Sequence, residues 1–168
     1  MTDVVWAPWR MSYILAEKPP GCIFCERPRE PYDAKNLLLW RGRTAFVMMN
    51  LYPYNNGHLM VVPHAHVASL TDLEPSQCAE LGELTMRCEQ VLRQALRPDG
   101  FNIGINLGSA AGAGIAEHLH VHIVPRWEGD TNYMTVVGET RVIPQHIEQT
   151  YALLIPYFQA LAESAQPS

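Results

Sequence analysis

An α+β fold is the architecture this sequence predicts: an antiparallel sheet of about five strands with two main helices packed on it. Three observations lead there. Short apolar runs at 37–40, 44–49, 58–62 and 101–106 are bounded by Gly, Pro and Asn, as strands are. In Glu117–Trp127, His118, His120 and His122 alternate with Leu119, Val121 and Ile123, the period of two of a half-buried strand. Two longer segments, from Pro75 and from about Pro144, instead repeat apolar residues every three or four positions, the signature of helices with one buried face.

With 168 residues, 48% of them apolar, the chain suits one domain with a sizeable core. Net charge is −5 with no basic run, which argues against a surface that tracks nucleic-acid phosphates while leaving room for a small anionic ligand. No apolar run approaches the length of a membrane span. Met1-Thr2-Asp3 lacks the basic and apolar regions of a signal peptide, so a cytoplasmic protein is expected.

In chain order, residues 1–36 read as an irregular arm, rich in Pro, Trp and charge; Trp6 and Trp9 are expected to pack on the body or on a second subunit. Cys22-Ile23-Phe24-Cys25 lies in this arm. In a reducing compartment such a pair is half of a metal site or a redox pair, and no βαβ pattern surrounds it to favour the redox use. Residues 37–142 form the body. Its first two strands make a hairpin through Arg41-Gly42-Arg43, Asn50–Gly57 is a loop, and Pro63 ends the third strand.

Pro75 opens a helix whose stripe contains Cys78, Leu81, Thr85, Cys88, Leu92 and Ala95, so both cysteines are expected to be buried and inert. Pro98-Asp99-Gly100 ends it. A Gly- and Ala-rich stretch, Leu107–Ala116, leads into the histidine strand, and Thr131–Val142 reads equally as loop or strand. Residues 143–168 close the same domain with a helix that buries Ile147, Tyr151, Leu154 and Phe158, followed by a frayed tail.

The chemistry centres on the histidines. Same-face neighbours on a strand stand roughly 6–7 Å apart, and the outer pair about 13 Å. The three cannot join one ion, so they must do different jobs. Imidazole serves as nucleophile, acid–base, metal ligand or phosphate donor near neutral pH. Gly108-Ser109-Ala110-Ala111-Gly112-Ala113-Gly114, just ahead, lets backbone N–H groups approach an anion and reads as a phosphate cradle.

His118-x-His120-x-His122 followed by Ile123-Val124 resembles the signature of the histidine triad family, with Gly57-His58-x-x-x-x-Pro63 matching a second motif. Trp6-Ala7-Pro8-Trp9-Arg10, Cys22-Ile23-Phe24-Cys25 and Pro125-Arg126-Trp127-x-Gly129-Asp130-Thr131-Asn132 are similar to the family's bacterial diadenosine tetraphosphate phosphorylase branch. The resemblance implies that His120 attacks an α-phosphorus and forms a nucleotidyl-imidazole, while His122 and His58 donate to phosphate oxygens. A backbone carbonyl would hold the far nitrogen of His120.

It further implies that Asn50 contacts ribose, that Asn106 contacts the α-phosphate or leaving group, and that Gly112 and Gly114 flank the phosphates. Phe24, Met48 and Leu51 would line the adenine pocket, with Trp127 stacking on a base or closing the site. Structural zinc would be held by Cys22, Cys25, His66 and His118, with His64 the rival to His66.

Other branches place Gln, Ser or Thr just before the triplet, where Gly114, Ile115, Ala116 and Glu117 stand here. That departure favours phosphate over water as acceptor. The expectation is cleavage of diadenosine tetraphosphate by phosphate to ATP and ADP. The rivals are a hydrolase or phosphoramidase using water, and a zinc-stabilised nucleotide-binding protein without turnover. The resemblance also implies a homodimer or higher homo-oligomer.

Overall fold

The computed structural model describes residues 21–130 and 145–164. Trp6 and Trp9, the ambiguous stretch 131–142 and the end of the tail lie outside them.

Chain order is α1 (Ile23–Glu26), a 3-10 turn (Arg27–Arg29), α2 (Asp33–Asn36), β1 (Leu38–Arg41), β2 (Ala45–Met49), β3 (Leu59–Pro63), α3 (Pro75–Leu96), β4 (Gly100–Ile105), β5 (Val121–Arg126) and α4 (Ile147–Ser164). The strands form one antiparallel sheet in the order β1-β2-β3-β5-β4. The α+β reading holds. The arm, expected to be irregular, carries two short helices where it is described.

Both faces of β2 and β3 are buried, which explains why these runs are apolar throughout instead of alternating. On one face, Val47, Met49, Leu59, Val61, Val121 and Ile123 meet Leu84, Cys88, Leu92, Leu154 and Phe158 from α3 and α4. On the other, Phe46, Met48, Met60 and Val62 are covered by Phe24 with Cys22 and Ile23 of the arm, and by Ile115. The two-sided sheet therefore places the Cys-x-x-Cys segment against the histidines.

α3 begins as Pro75 predicts, with a capping box between Glu74 and Gln77 that the apolar pattern does not reveal. It ends at Arg97, which adopts a left-handed conformation before Pro98. Cys88 is buried, and burial pushes its thiol far up. Cys78 corrects the expectation: it is exposed. Ten residues along a helix turn its side chain about 80° away from Cys88, off the buried stripe.

The histidine strand is shorter than its alternation suggests. β5 starts at Val121, so only His122 lies in the ladder. Pairing with β3 stops at Val61↔Val121. Beyond it the Pro63 carbonyl accepts from the His118 ring at 2.9 Å, and the Leu119 N–H donates to Val67 at 2.7 Å. A side chain has replaced the next rung.

Candidate active site

A row of residues in register crosses the arm-facing side of the sheet: Met48 beside Met60, Met60 beside His122, His122 beside Gly104. This row lies under a cleft. Gly112, Gly114, His120 and His122 line one part of it; Ile23, Phe24, Met48, Leu51, Met60 and Ile115 supply apolar wall; Asn50, Tyr52, Tyr54 and Arg27 complete it.

His120 is 4% exposed, and its Nδ1 lies 2.9 Å from the carbonyl oxygen of His118. A carbonyl only accepts, so Nδ1 carries the proton and Nε2 keeps its lone pair. Burial lowers the pKa of His120 against the opposing pull of that hydrogen bond, which favours the neutral ring. The Phe24 ring packs 5.0 Å from it and the His122 ring 4.7 Å.

His122 is oriented through a chain of donors. The Tyr54 backbone N–H donates to His58 Nδ1 at 3.1 Å, so His58 must carry its proton on Nε2. That Nε2–H donates to His122 Nδ1 at 3.0 Å, which leaves the His122 proton on Nε2. His58, 1% exposed and stacked under Tyr54 at 4.9 Å, has both ring nitrogens committed to protein partners. The geometry thus departs from the expectation that His58 reaches a phosphate oxygen itself. The Tyr54 N–H is a backbone atom and has no signal in the sequence.

The loop that carries Tyr54 is built tightly. Gly57 has φ +71, where a side chain is strained, and a Cβ there would lie 2.4 Å from Leu96 Cδ1, so glycine suits the close pass of the chain by α3 into His58. Asn55 anchors the same loop to β5 by donating to the Pro125 carbonyl at 3.0 Å and to Asp130 at 2.8 Å, and Asp130 in turn receives Arg126 at 2.6 Å. Asn50 accepts from the Tyr52 N–H at 2.9 Å, which fixes its amide at the cleft.

His118 does other work. Its Nδ1 lies 3.2 Å from Cys22 Sγ and 3.6 Å from Cys25 Sγ, while His66 Nδ1 lies 3.3 Å from Cys25 Sγ. All four ligand atoms fall within 4.8 Å of one another. Ligands around a tetrahedral zinc are separated by roughly 3.3–3.8 Å, so the donors fit such an ion. The Pro63 carbonyl takes the proton of His118 Nε2 and turns the Nδ1 lone pair toward the sulfurs. Burial, and then the neighbouring Cys22, push the Cys25 thiol up, and a cation would relieve that pair. His64 is elsewhere, against the Gly42 carbonyl at 3.2 Å.

Of the predicted nucleotide contacts, Met48, Asn50, Leu51, Gly112, Gly114 and Phe24 reach the cleft. Asn106 and Trp127 are not among the residues that line it. Asn106 directly follows Ile105, the last residue of β4, whose partner Val121 directly follows His120. Trp127 follows the opposite end of β5, roughly 20 Å along the strand.

Residues 34–129 match the HIT domain family, more than half of the chain. The chain belongs to the HIT family. A protein of Mycobacterium tuberculosis named AP-4-A phosphorylase is 46% identical over 160 residues, covering 89% of this chain and 81% of that one. An asymmetrical bis(5'-nucleosyl)-tetraphosphatase of Schizosaccharomyces pombe is 33% identical, covering 61% of this chain and 58% of its own length. Among solved structures, a zinc-bound histidine triad family protein from Mycobacterium smegmatis superposes with a TM-score of 0.65 at 26% identity, covering 86% of this chain and 97% of that one. The five-stranded antiparallel sheet with its packed helices is thus the fold of a HIT protein.

Proposed function

We propose that this HIT protein is a nucleotidyltransferase that cleaves diadenosine tetraphosphate with phosphate, giving ATP and ADP. The observation that carries the covalent route is the hold on His120, a neutral, buried imidazole whose Nδ1–H is fixed and whose Nε2 lone pair is available in the cleft. The choice of substrate and acceptor is supported by the 46% identity to the mycobacterial protein named for that reaction.

In the first step His120 Nε2 bonds to an α-phosphorus as the bond to the bridging oxygen breaks, and ATP leaves. In the second, a phosphate oxygen attacks the same phosphorus, the P–N bond breaks, and ADP departs with the neutral imidazole restored. His122 Nε2–H donates to a phosphate oxygen as charge develops. His58 sets the tautomer of His122 in place of touching substrate. Asn50 contacts ribose, and Met48, Leu51 and Phe24 form the base slot. Gly112 and Gly114 leave space beside the phosphorus and carry no side chain of their own to direct water there. Asn106 is proposed for the leaving phosphates.

Incubation with diadenosine tetraphosphate and labelled phosphate, followed by product separation, is the test. Label should enter ADP, and ATP should appear in equal amount. Unchanged cleavage without phosphate, with AMP as product, would establish a hydrolase.

We also propose zinc as the ion for Cys22, Cys25, His66 and His118, supported by the fit of the donors and by the zinc-bound neighbour. Metal analysis of freshly purified protein is expected to return close to one zinc per chain; a metal-free, folded protein would refute it. A homodimer through β4 is the proposed assembly. β4 ends the described sheet, with Ile103 and Leu107 45% and 44% exposed. Light scattering should give twice the chain mass, and Ile103→Lys should shift it toward monomer. A wild-type monomer would exclude the assembly.

A further inference from the structure

Arg27 is the one formally charged side chain among the described residues that line the cleft. It is half-buried, and its guanidinium makes no hydrogen bond or ion pair with another described residue. Four other arginines, Arg41, Arg87, Arg93 and Arg126, each pair with a carboxylate. The Arg27 N–H of the main chain bonds to the Ile23 carbonyl, a full helical turn back. Ile23 and Arg27 therefore share one face of the arm, and both line the cleft.

We infer that Arg27 is a substrate-binding residue that lies over the outer face of the nucleobase and favours purines over pyrimidines. The inference rests on the reading of this cleft as a nucleotide site. The phosphate end is marked by His120, His122, Gly112 and Gly114. Arg27 instead follows Ile23 on the same face, one turn along, and Ile23 belongs to the apolar wall, where an aromatic ring fits better than a phosphate. A guanidinium is planar and weakly hydrated, and it stacks on ring faces as an ammonium does not. With no carboxylate among the described residues to draw it away, it can cover a base while its stem packs beside Ile23. A cover of this kind contacts a ring face without reading the edge, so adenine and guanine are both accepted, and the smaller pyrimidine ring is held less well.

Calorimetric titration of AMP, ADP, ATP and CMP into wild type, Arg27→Ala and Arg27→Lys tests it, with melting curves to establish that the variants fold. Arg27→Ala should weaken AMP, ADP and ATP by one common factor, about three- to tenfold, and CMP by less. Arg27→Lys should not restore the loss. A loss that grows from AMP to ATP and returns with Lys would make Arg27 a phosphate contact and overturn the inference, as would unchanged affinities. If wild type binds none of these nucleotides, the reading of the cleft itself falls, a result distinct from a variant that matches wild type.

Discussion

His120 and His122 share a cleft, but each owes its useful nitrogen to a different partner. The His118 carbonyl fixes His120, and the Tyr54 N–H fixes His122 at one remove through His58. A His58→Phe variant keeps an aromatic ring under Tyr54 but removes the donor to His122 Nδ1. Its kcat is expected to fall about 10- to 100-fold with a smaller change in KM, because the lost hold on His122 matters when charge develops on phosphate. Steady-state kinetics on diadenosine tetraphosphate would decide it; an equal loss in kcat/KM carried wholly by KM would show that His58 contacts bound substrate. The alternation of histidines identifies these residues in the sequence. It is silent on which ring nitrogen carries a proton, because the determining partners are main-chain atoms, which residue type does not record, and in the case of His122 act through a histidine from another strand end.

Among the elements, the β1–β2 hairpin shows how a turn is tied to a helix. Glu80 on α3 accepts from the backbone N–H of Arg43 and of Thr44, each at 2.7 Å, and from the Thr44 hydroxyl. Gly42 has no room for a Cβ, which would lie 2.6 Å from both the Ala45 carbonyl and Glu80 Oε1. Burial alone would raise the pKa of Glu80, but the three hydrogen bonds outweigh it and hold the carboxyl below its usual 4.5. Since the folded value is the lower one, the stabilisation is present above the unfolded pKa and is lost as pH falls through the folded one. Glu80→Gln should therefore cost about 1 kcal/mol at pH 7 for a partly exposed group, and the gap to wild type should close below pH 4.5. Urea denaturation at pH 7 and pH 3.5 measures both; a pH-independent difference would locate the effect in packing.

For the whole molecule, the Cys/His cluster is the joint between the arm and the histidine strand. His118 belongs to both: its ring joins the cluster, and its carbonyl holds His120. Phe24, between the two cysteines, packs against both histidines. Cys25→Ser is accordingly expected to lower the melting temperature by about 5–10 °C, as loss of about 2–3 kcal/mol would do at this size, and to reduce zinc content with it. Calorimetry and metal analysis of one preparation check the pair. An unchanged melting temperature with zinc absent would show that the ion does not secure the arm.

The five strands, both main helices and the family were legible in the sequence, because apolar periodicity and the spacing of the triplet are local properties of the chain. The family resemblance pointed to Cys22, Cys25, His66 and His118, with His64 the rival to His66, and these four lie together. Folding settles the rest: the histidine strand begins at Val121, Cys78 faces outward, His58 donates to His122, and Arg27 is among the residues that line the cleft while Trp127 is not. Each of these depends on what a residue meets from elsewhere in the chain: a carbonyl at Pro63, an N–H at Tyr54, the helix face that turns toward the sheet. Pattern records which way a side chain points relative to its neighbours, and packing supplies what it points at.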